Sequence, residues 1–406
     1  MSDLIRPKDE KELAAAVAEA NASKTPLEVS GAGSKRNIGR PLQIASSITT
    51  ERLTGVTLYE PNELVLSARA GTPLNEIETV LAKNNQQLAF EPVDLGPMLG
   101  QAEEQGTIGA VFAANLSGPR RIQVGAARDH LLGIRAVNGR GELIKSGGRV
   151  MKNVTGYDLC RGIAGSWGTL AVMSEVTMKV LPKAEATRTL LFIGLTDDVA
   201  VDALCAALGT PYEVSGTVHL HADFARALID EEILRRPTPV TALRLENFET
   251  SLDYRSERLA EDLTAFGKVV QLDNDASNEF WDGMRTLKFL KGSKDPVWRI
   301  STAPKNGARV VSALTKRLEC QAAYDWSGGL IWLQTGPSAD AGATEVRRVL
   351  SEIGGHATLI RAESALRTSV DVFHPMSSGV AALTRKLKLS FDPAGILNPG
   401  KMYAGI

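Results

Sequence analysis

Apolar residues recur along the first part of this chain with a helical period, which then gives way to a short extended run. Asp9 precedes a stripe of small and apolar residues at helical spacing, which predicts a helix that begins there. The stripe consists of Leu13, Ala14, Val17 and Ala20. Pro26 ends this element, and residues 27–29 predict a strand that leads directly into a glycine-rich loop.

The next segments alternate between strands and one clear helix. Residues 55–59 and 63–68 are typical of strands, and Thr72-Pro73 predicts a helix with Thr72 as its N-cap and Pro73 as its first residue. The predicted buried face of that helix is Leu74, Ile77, Val80 and Leu81. Residues 91–125 have no clear period, which predicts a long irregular stretch of the kind that usually has a function.

A hairpin and a long strand follow the irregular stretch. The hairpin is predicted at 132–145, with its turn at 138–141, and a short helix near 157–164 leads to a strand at 172–180. In that strand the even-numbered residues are predicted to face the core and the odd-numbered ones a wetter side.

Beyond a boundary near residues 182–187, strands and amphipathic helices alternate, which predicts an α+β arrangement of a sheet layered with helices. The predicted strands are 188–195, 214–220, 241–246, 297–302, 329–334 and 357–361. The predicted helices include 198–208, 251–266, 305–317 and 341–353. The segment 391–401 is again rich in glycine and proline and is expected to be a loop.

Composition narrows the possible functions. Among 406 residues, 46 Lys and Arg nearly balance 47 Asp and Glu, so no global field attracts nucleic acid or anionic lipid. No apolar run resembles a signal peptide or reaches the ~20 residues of a membrane span. The three cysteines, Cys160, Cys205 and Cys320, are too few and too scattered for an iron–sulfur cluster, and reduced thiols in a cytoplasmic protein are expected.

The glycine-rich loop at 30–39 has the small residues that let backbone N–H groups approach a phosphate. It is not a Rossmann fingerprint, because Arg36 stands where the third glycine belongs and Gly39-Arg40-Pro41 interrupts any helix. It is not a Walker loop either, because no Gly-Lys-Ser/Thr is present. A plain tight turn is the alternative interpretation of this loop by itself.

Two further segments are rich in small and amide-bearing residues. Residues 106–129 could let a flat cofactor lie against bare backbone, with Arg128 and Asp129 either an orienting pair or an ordinary surface salt bridge. Residues 147–170 combine a glycine loop, a helix and a second glycine turn, and structural turns also explain this pattern.

The combination of these motifs in one order is more specific than any one of them. The ordered set is Thr107-Ile108-Gly109, Gly125 with Arg128-Asp129, Lys152-Asn153 with Gly156-Tyr157-Asp158, Gly165-Ser166 with Gly168-Thr169-Leu170, and the closing run 392–401. The chain therefore resembles the FAD-linked oxidases of the vanillyl-alcohol-oxidase/p-cresol-methylhydroxylase (PCMH) superfamily, over residues 1–182 and the last dozen residues. Ser117–Arg121, Val150–Val154 and Phe373-His374-Pro375 make it most similar to the FAD-binding (E) subunits of glycolate oxidase, also called glycolate dehydrogenase.

The resemblance implies a PCMH-type FAD-binding domain at 1–184, an α+β cap domain with an antiparallel sheet at 185–385, and a C-terminal segment at 386–406 that returns to the first domain. It implies FAD as cofactor. The implied cofactor-binding residues are Ser30, Gly31, Ala32, Gly33, Ser34, Lys35, Gly39, Gly106, Thr107, Gly109, Asn115, Ser117, Gly118, Gly125, Arg128, Asp129, Gly168, Ala171, Val172 and Asn398. Relatives with covalent FAD often carry a histidine in the first loop, and residues 30–39 contain none, so a non-covalent flavin is expected.

Catalytic groups are harder to find. His219 and His221 would share one face of a strand, but two ligands are too few for a metal site, so no metal is expected. The histidine-rich cap cluster of catalytic relatives is not evident, and His356 and His374 are isolated. Arg299 could hold a substrate carboxylate through its planar fork, or could be an ordinary strand arginine in a salt bridge.

Three functions therefore stay open. The first is a flavin subunit of a glycolate-type 2-hydroxy-acid dehydrogenase, for which the resemblance implies a second FAD-containing catalytic subunit and an iron–sulfur subunit as partners. The second is a self-sufficient FAD-dependent oxidoreductase of a hydroxy acid or sugar acid, which would need a base and a carboxylate anchor. The third is a scaffold subunit without flavin. A cytoplasmic protein, peripheral to the inner membrane only through its partners, is expected.

Overall fold

A computed structural model describes residues 3–44, 46–149 and 157–406. The first half of the chain forms short strands and helices in alternation. They are β1 (Asp3–Ile5), α1 (Glu10–Ser23), β2 (Leu27–Ser30), β3 (Ser46–Thr49), β4 (Val56–Glu60), β5 (Val65–Arg69), α2 (Leu74–Ala82), β6 (Gln86–Gln87), α3 (Ile108–Ala114), α4 (Arg121–Val124), α5 (Ala127–His130), β7 (Leu131–Asn138), β8 (Leu143–Gly147), α6 (Leu159–Ile163), β9 (Ala171–Lys179) and β10 (Leu181–Pro182).

These strands build two small sheets and a two-stranded antiparallel pair, β6 with β10. The order β1-β3-β2 is parallel, and β4-β5-β9-β7-β8 is antiparallel. α1 begins where predicted, because the Asp9 carboxylate accepts hydrogen bonds from the N–H groups of Lys11 and Glu12. α2 begins one residue later than predicted. Pro73 is its cap, and the Thr72 hydroxyl donates to the Arg69 carbonyl oxygen.

Two expectations for this half were wrong. Residues 91–125 contain α3 and α4, and α3 escapes a periodicity search because its residues are small or buried on more than one side. β9 is buried on both faces, because it lies at the centre of its sheet with α1 packed on one side and α3 on the other. Met173 and Thr177, expected on a wetter side, are therefore buried.

The second half forms an eight-stranded antiparallel sheet within the described residues, in the order β14-β11-β13-β12-β16-β17-β15-β18. Its strands are β11 (Ala186–Ile193), β12 (Gly216–Leu220), β13 (Val240–Asn247), β14 (Val269–Leu272), β15 (Val297–Ser301), β16 (Cys320–Asp325), β17 (Leu330–Thr335) and β18 (His356–Arg361). The helices are α7 (Asp197–Leu208), α8 (Ala222–Arg226), α9 (Glu249–Asp262), α10 (Asn274–Arg285), α11 (Gly307–Thr315), α12 (Ala343–Ile353), α13 (Ser364–Ser369) and α14 (Ser378–Phe391). The six predicted strands and four predicted helices are present, and β14, β16, α8, α10, α13 and α14 were not predicted.

The chain returns to its first half after the sheet. Residue 385, the expected end of the cap domain, falls inside α14. Lys388, near the end of α14, is buried and donates to Asp392 and to the carbonyl oxygens of Thr169 and Leu397. Leu397 then pairs with Leu27 of β2 in a parallel bridge. The C-terminal residues are thereby fixed beside the glycine-rich loop.

The large sheet turns one face toward the first half of the chain. An apolar cluster there joins sheet residues such as Trp332 to Leu116 and Ile38 of the first half. Ion pairs reinforce the contact, since Arg244 bonds both carboxylate oxygens of Glu91 at 2.7 and 2.8 Å. The opposite face is covered by helices that include α11 and α12. Within residues 3–44, 46–149 and 157–406, no helix is both long and apolar enough to span a bilayer.

Candidate functional site

A cleft of about 760 Å³ opens in the first half of the chain, between the glycine-rich loop, α3 and the turn before β9. Its lining residues are Glu28, Val29, Ser30, Gly31, Gly33, Ser34, Lys35, Arg36, Thr50, Ala70, Gly109, Ala110, Ala113, Ala114, Trp167, Gly168, Ala171, Val172, Met173, Asn398 and Lys401.

The glycine-rich loop forms one wall. The Thr49 hydroxyl donates to the Gly31 carbonyl oxygen at 2.8 Å and so fixes the start of the loop against β3. Gly33 has a φ of +81°, in the left-handed region that favours glycine. A Cβ added at Gly31 would lie 2.4 Å from Oγ1 of Thr107, so only glycine fits where the loop meets the start of α3.

Two lysines supply positive charge at this wall. Burial lowers the pKa of Lys35 to about 8, although Asp94 acts in the opposite direction. Burial likewise lowers the pKa of Lys401 to about 8, against the raising effect of Glu28. Lys401 Nζ donates to the Arg36 carbonyl oxygen at 3.0 Å, which holds the C-terminal segment across the loop. Both ammonium groups keep their charge at neutral pH and are available to an anion in the cleft.

Small residues of α3 form the floor. Gly109 packs on Ala70 so closely that a Cβ would lie 2.6 Å from the Ala70 Cβ. Ala110, Ala113 and Ala114 present only methyl groups to the cleft. The buried Thr107 hydroxyl, one residue before α3, has no hydrogen-bond partner among the described residues. Thr107 does not line the cleft, but its hydroxyl lies against Gly31, which does, and a ligand held there would satisfy this unpartnered group.

The far wall is the turn at 166–170, clamped from the C-terminus. Gly168 has a φ of +72°, and a Cβ there would lie 2.9 Å from the Asn398 amide nitrogen. The Asn398 side chain accepts from the Val29 N–H at 2.8 Å and donates to the Trp167 carbonyl oxygen at 2.8 Å. Asn398 therefore joins β2 to the turn, and Ala171 and Val172 continue the wall.

The other residues singled out from the sequence lie around the cleft rather than on its lining. Ala32 is exposed, and Gly106 lies next to Lys35, with a Cβ built there 4.0 Å from Nζ. Gly39 packs on the Lys401 backbone, and its carbonyl oxygen accepts from Arg367. Gly39 and Gly106 therefore contact neighbouring segments outside the cleft, and Ala32 faces solvent.

A second group braces the segment after α3. The Asn115 and Ser117 side chains accept from the N–H groups of Arg128 and Ala127. Gly118 contacts the Glu91 backbone, and Gly125 ends α4 next to Asp129. Arg128 and Asp129 form an exposed ion pair at 3.9 Å. Lys152, Asn153 and Gly156 of the predicted motif, and the neighbouring Val150, Met151 and Val154, lie outside the described residues.

Several lining residues were missed from the sequence. Ala113 and Ala114 continue the face of α3 that starts at Ala110, and recognition of that helix would have found them. Lys401 stands three residues after Asn398, in the motif that was already recognised. Trp167 was part of a quoted motif but was not assigned to the site. Thr50, Ala70 and Met173 enter only through tertiary packing.

Arg299 lies elsewhere, on the face of the large sheet that meets the first half of the chain. Its guanidinium carbon is 5.2 Å from the centre of the Trp326 ring, and that of Arg121 is 4.2 Å from the same ring. Neither arginine has a carboxylate or hydrogen-bond partner among the described residues. Burial and the nearby Arg121 lower the pKa of Arg299 to about 10. Burial also raises the pKa of Asp325 to about 7, so this carboxyl is a weak counter-charge. Both guanidinium groups are attracted to the face of one indole, which brings two positive charges close together.

The histidines do not assemble a metal site. His219 and His221 each place Nε2 3.2 Å from an oxygen of Asp197, and Tyr324 donates to the same carboxylate at 2.5 Å. No group of three or more His, Cys, Asp or Glu side chains in the described part of the chain could hold a metal ion. His374 accepts from Arg347 at 2.9 Å, and its ring centre lies 6.4 Å from that of His356.

The cleft residues fit FAD. Gly31, Gly109 and Gly168 pack so closely on Thr107, Ala70 and Asn398 that no Cβ fits, so the cleft wall there is bare backbone. Two lysines offer charge for a pyrophosphate, and the Thr107 hydroxyl lacks a partner. The walls of small residues suit a flat, extended molecule. No side chain in the loop at 30–39 is a histidine that could form a covalent link to it.

Comparison with known proteins supports this conclusion. Residues 2–147 match the family described as FAD binding domain. The chain is 32% identical over 396 residues to the glycolate oxidase subunit GlcE of Escherichia coli, covering 96% of this chain and 95% of that protein. It is 25% identical over 323 residues to the glycolate oxidase subunit GlcD of Bacillus subtilis, covering 73% of this chain and 68% of that one.

The fold of this chain resembles that of a solved structure. The 4-ethylphenol oxidase of Gulosibacter chungangensis superposes with a TM-score of 0.73 at 14% identity, covering 99% of this chain and 89% of that one. At this identity the likeness is one of fold. It extends over the large sheet as well as the cleft, so both halves of the chain share the PCMH-type architecture expected from the sequence.

Proposed function

This chain belongs to the FAD-linked oxidase family that includes the glycolate oxidase subunit GlcE, and we propose that it acts as a FAD-binding subunit of a glycolate-type 2-hydroxy-acid dehydrogenase. FAD is its cofactor. The observation that carries the proposal is the cleft, whose glycine contacts, lysines and unpartnered Thr107 hydroxyl suit this molecule. When bound, FAD supplies two-electron redox chemistry of the kind that such a complex needs to oxidise a hydroxy acid such as glycolate to its 2-oxo acid.

The residues of the cleft bind and orient. Gly31, Gly33 and Ser34 offer their N–H groups to the pyrophosphate, and Lys35 and Lys401 supply its counter-charge. The Thr107 hydroxyl donates a hydrogen bond to the cofactor in place of the partner it lacks in the protein. Asn398 keeps the two walls at a fixed spacing. The residues braced behind the lining, from Asn115 to Asp129, hold α3 and its following loop in position.

The flavin is held without a covalent bond in this proposal, because the loop at 30–39 lacks a histidine. Acid precipitation of the purified protein should release yellow flavin into the supernatant. A pellet that keeps all of its flavin would contradict the proposal.

The proposal includes partner subunits. The relatives named GlcE and GlcD are both subunits of glycolate oxidases, which supports a complex with a second FAD-containing catalytic subunit. We include an iron–sulfur subunit in this complex as the electron acceptor. Its cluster would be bound by that subunit, because three scattered cysteines in this chain are too few for one. We further propose a cytoplasmic location, peripheral to the inner membrane only through these partners, which cell fractionation would test.

A second candidate is supported by Arg299 and Arg121. Their guanidinium groups share the Trp326 ring and could hold the carboxylate of a hydroxy acid, which would give this chain a substrate site of its own. Burial and the nearby Arg299 charge lower the pKa of His356, so a neutral imidazole is available to take the hydroxyl proton. In that case the chain would act as a self-sufficient oxidoreductase.

The absorption spectrum of the purified chain under anaerobic conditions decides between these candidates. A flavin spectrum that glycolate does not bleach supports the subunit function, in which a companion subunit oxidises the substrate. Bleaching by glycolate alone supports the self-sufficient enzyme. A colourless protein that cannot be reconstituted with FAD would overturn both.

A further inference from the structure

α14 carries a stripe of exposed apolar residues on a surface that no other described part of the chain covers. Val380, Leu383 and Leu387 follow each other at helical spacing and are between 40% and 68% exposed. The side of the helix next to the stripe is fixed to the protein by the buried Lys388. An apolar stripe of this kind on a well-anchored helix marks an interaction surface.

A groove of about 520 Å³ lies beside this stripe. Leu387 and Lys388 form one side, and the turn at 165–170 and the C-terminal Met402, Tyr403 and Ile406 form the others. The Ser166 hydroxyl lines the groove, is almost fully buried, and has no hydrogen-bond partner among the described residues. A partner with a polar group within its apolar contact would satisfy it.

The groove and the cofactor cleft share one wall. Trp167 and Gly168 line the cleft, while Ser166, Thr169 and Leu170 line the groove. Only this stretch of backbone separates the two spaces. A molecule docked in the groove would therefore lie close to the cofactor without entering its cleft.

We propose that the stripe on α14 and the adjoining groove form the docking surface for the electron-accepting iron–sulfur subunit, which rests on the function proposed above. The shared wall would bring an acceptor close to bound FAD. A reduced flavin there would give its two electrons one at a time to the acceptor's iron–sulfur centres and release its protons to solvent. The helix has no acidic residue, and its exposed Arg385 and Lys386 favour an acidic rim on the partner. The Ser166 hydroxyl favours a protein over lipid tails, which offer it no hydrogen bond.

The test uses the full complex, with this chain tagged and co-expressed with the companion flavin subunit and the iron–sulfur subunit. Leu383→Asp places a charge at the centre of the stripe, and Leu389→Asp is the matched control. Leu389 is 52% exposed on the same helix but lies on another side of it. The measured quantities are iron per FAD in the tagged material and its binding to phosphatidylglycerol vesicles.

The expected result is that Leu383→Asp material loses most of its iron per FAD while FAD content and the companion flavin subunit are kept. A charge at the centre of a protein interface weakens binding at least about 30-fold, which is enough to lose the iron–sulfur subunit on purification. Leu389→Asp should retain its iron. Full iron content in Leu383→Asp, loss of the companion flavin subunit instead, or loss only of vesicle binding would each overturn the proposal. Bleaching of the flavin by glycolate in the wild-type complex separately tests the proposed function.

Discussion

The contact between Gly31 and Thr107 offers a sharp test of the cofactor cleft. Gly31→Ala would place a Cβ 2.4 Å from the Thr107 Oγ1, far inside van der Waals contact. Because the φ of Gly31 is not in the left-handed region, the substitution adds a clash without backbone strain. Overpacking of this kind costs about 1–3 kcal/mol. Since the clash separates two walls of the cleft, we expect FAD to bind roughly 5- to 150-fold more weakly.

The assay is the dissociation constant of FAD, measured by quenching of flavin fluorescence on titration of apoprotein. Thr107→Ala removes the clashing oxygen and leaves the Thr107 Cβ, which lies 3.4 Å from the added methyl group, at an ordinary contact distance. In the Thr107→Ala background, Gly31→Ala should therefore cost little more than Thr107→Ala alone. Gly33→Ala is a control, because its added Cβ meets nothing within 4 Å and its cost comes from a φ of +81°.

Two results would refute this reasoning. One is a Gly31→Ala protein that binds FAD as tightly as the wild type. The other is a double variant whose loss equals the sum of the two single losses, which would mean that the two residues do not contact each other in the functional protein.

Three further predictions concern charge. Since burial lowers the pKa of Lys35 and Lys401 to about 8, the affinity for FAD should fall as pH rises above 8. Lys35→Met should weaken FAD binding roughly 10-fold or more at pH 7 and make this pH dependence shallower. The same FAD affinity at every pH in Lys35→Met and wild type would argue against a role for Lys35. Asp197→Asn should lower the free energy of unfolding by about 2–4 kcal/mol at pH 7 in urea, whereas Asp198→Asn, exposed in the same helical turn, should change it by less than about 1 kcal/mol. Burial alone would raise the pKa of Asp197, but hydrogen bonds from His219, His221 and Tyr324 hold that pKa below its usual 3.8. The stabilisation is therefore complete above pH 3.8. The difference in free energy of unfolding between Asp197→Asn and wild type should narrow as pH falls below 3.8. Arg299→Gln should weaken the binding of oxalate about 10-fold by calorimetry while the exposed Arg309→Gln does not, and equal affinities would exclude Arg299 as a carboxylate anchor.

The sequence determined the strongly periodic elements and the cofactor. α1, α2 and the central strands follow from local apolar patterns. The order of the glycine motifs carried the resemblance to the FAD-linked oxidases, and that resemblance implied the cofactor. The loop at 30–35 and the closing Asn398 both lie on the cleft, although 363 residues separate Lys35 from Asn398 along the chain.

Tertiary structure alone decided which residues of those motifs face the cleft. Asn115, Ser117 and Gly125 belong to a recognised motif, yet they brace the loop after α3, because their direction depends on how that loop packs against α5. Lys401 reaches the glycine loop only because Asn398 and Leu397 fix the C-terminus on β2. The pairing of Arg299 with Arg121 joins residues of the two halves of the chain, and no local pattern encodes such a contact.

The apolar stripe on α14 is a further case in which the sequence gives the pattern and the tertiary structure gives its exposure. Its residues have a helical apolar period that the sequence contains, but a period says only that one face of a helix is apolar. Whether that face is buried by the chain or left for a partner depends on what packs against it. The charged Lys388 is buried, because Asp392 and two carbonyl oxygens accept hydrogen bonds from its ammonium group. The apolar Leu383 is exposed to solvent.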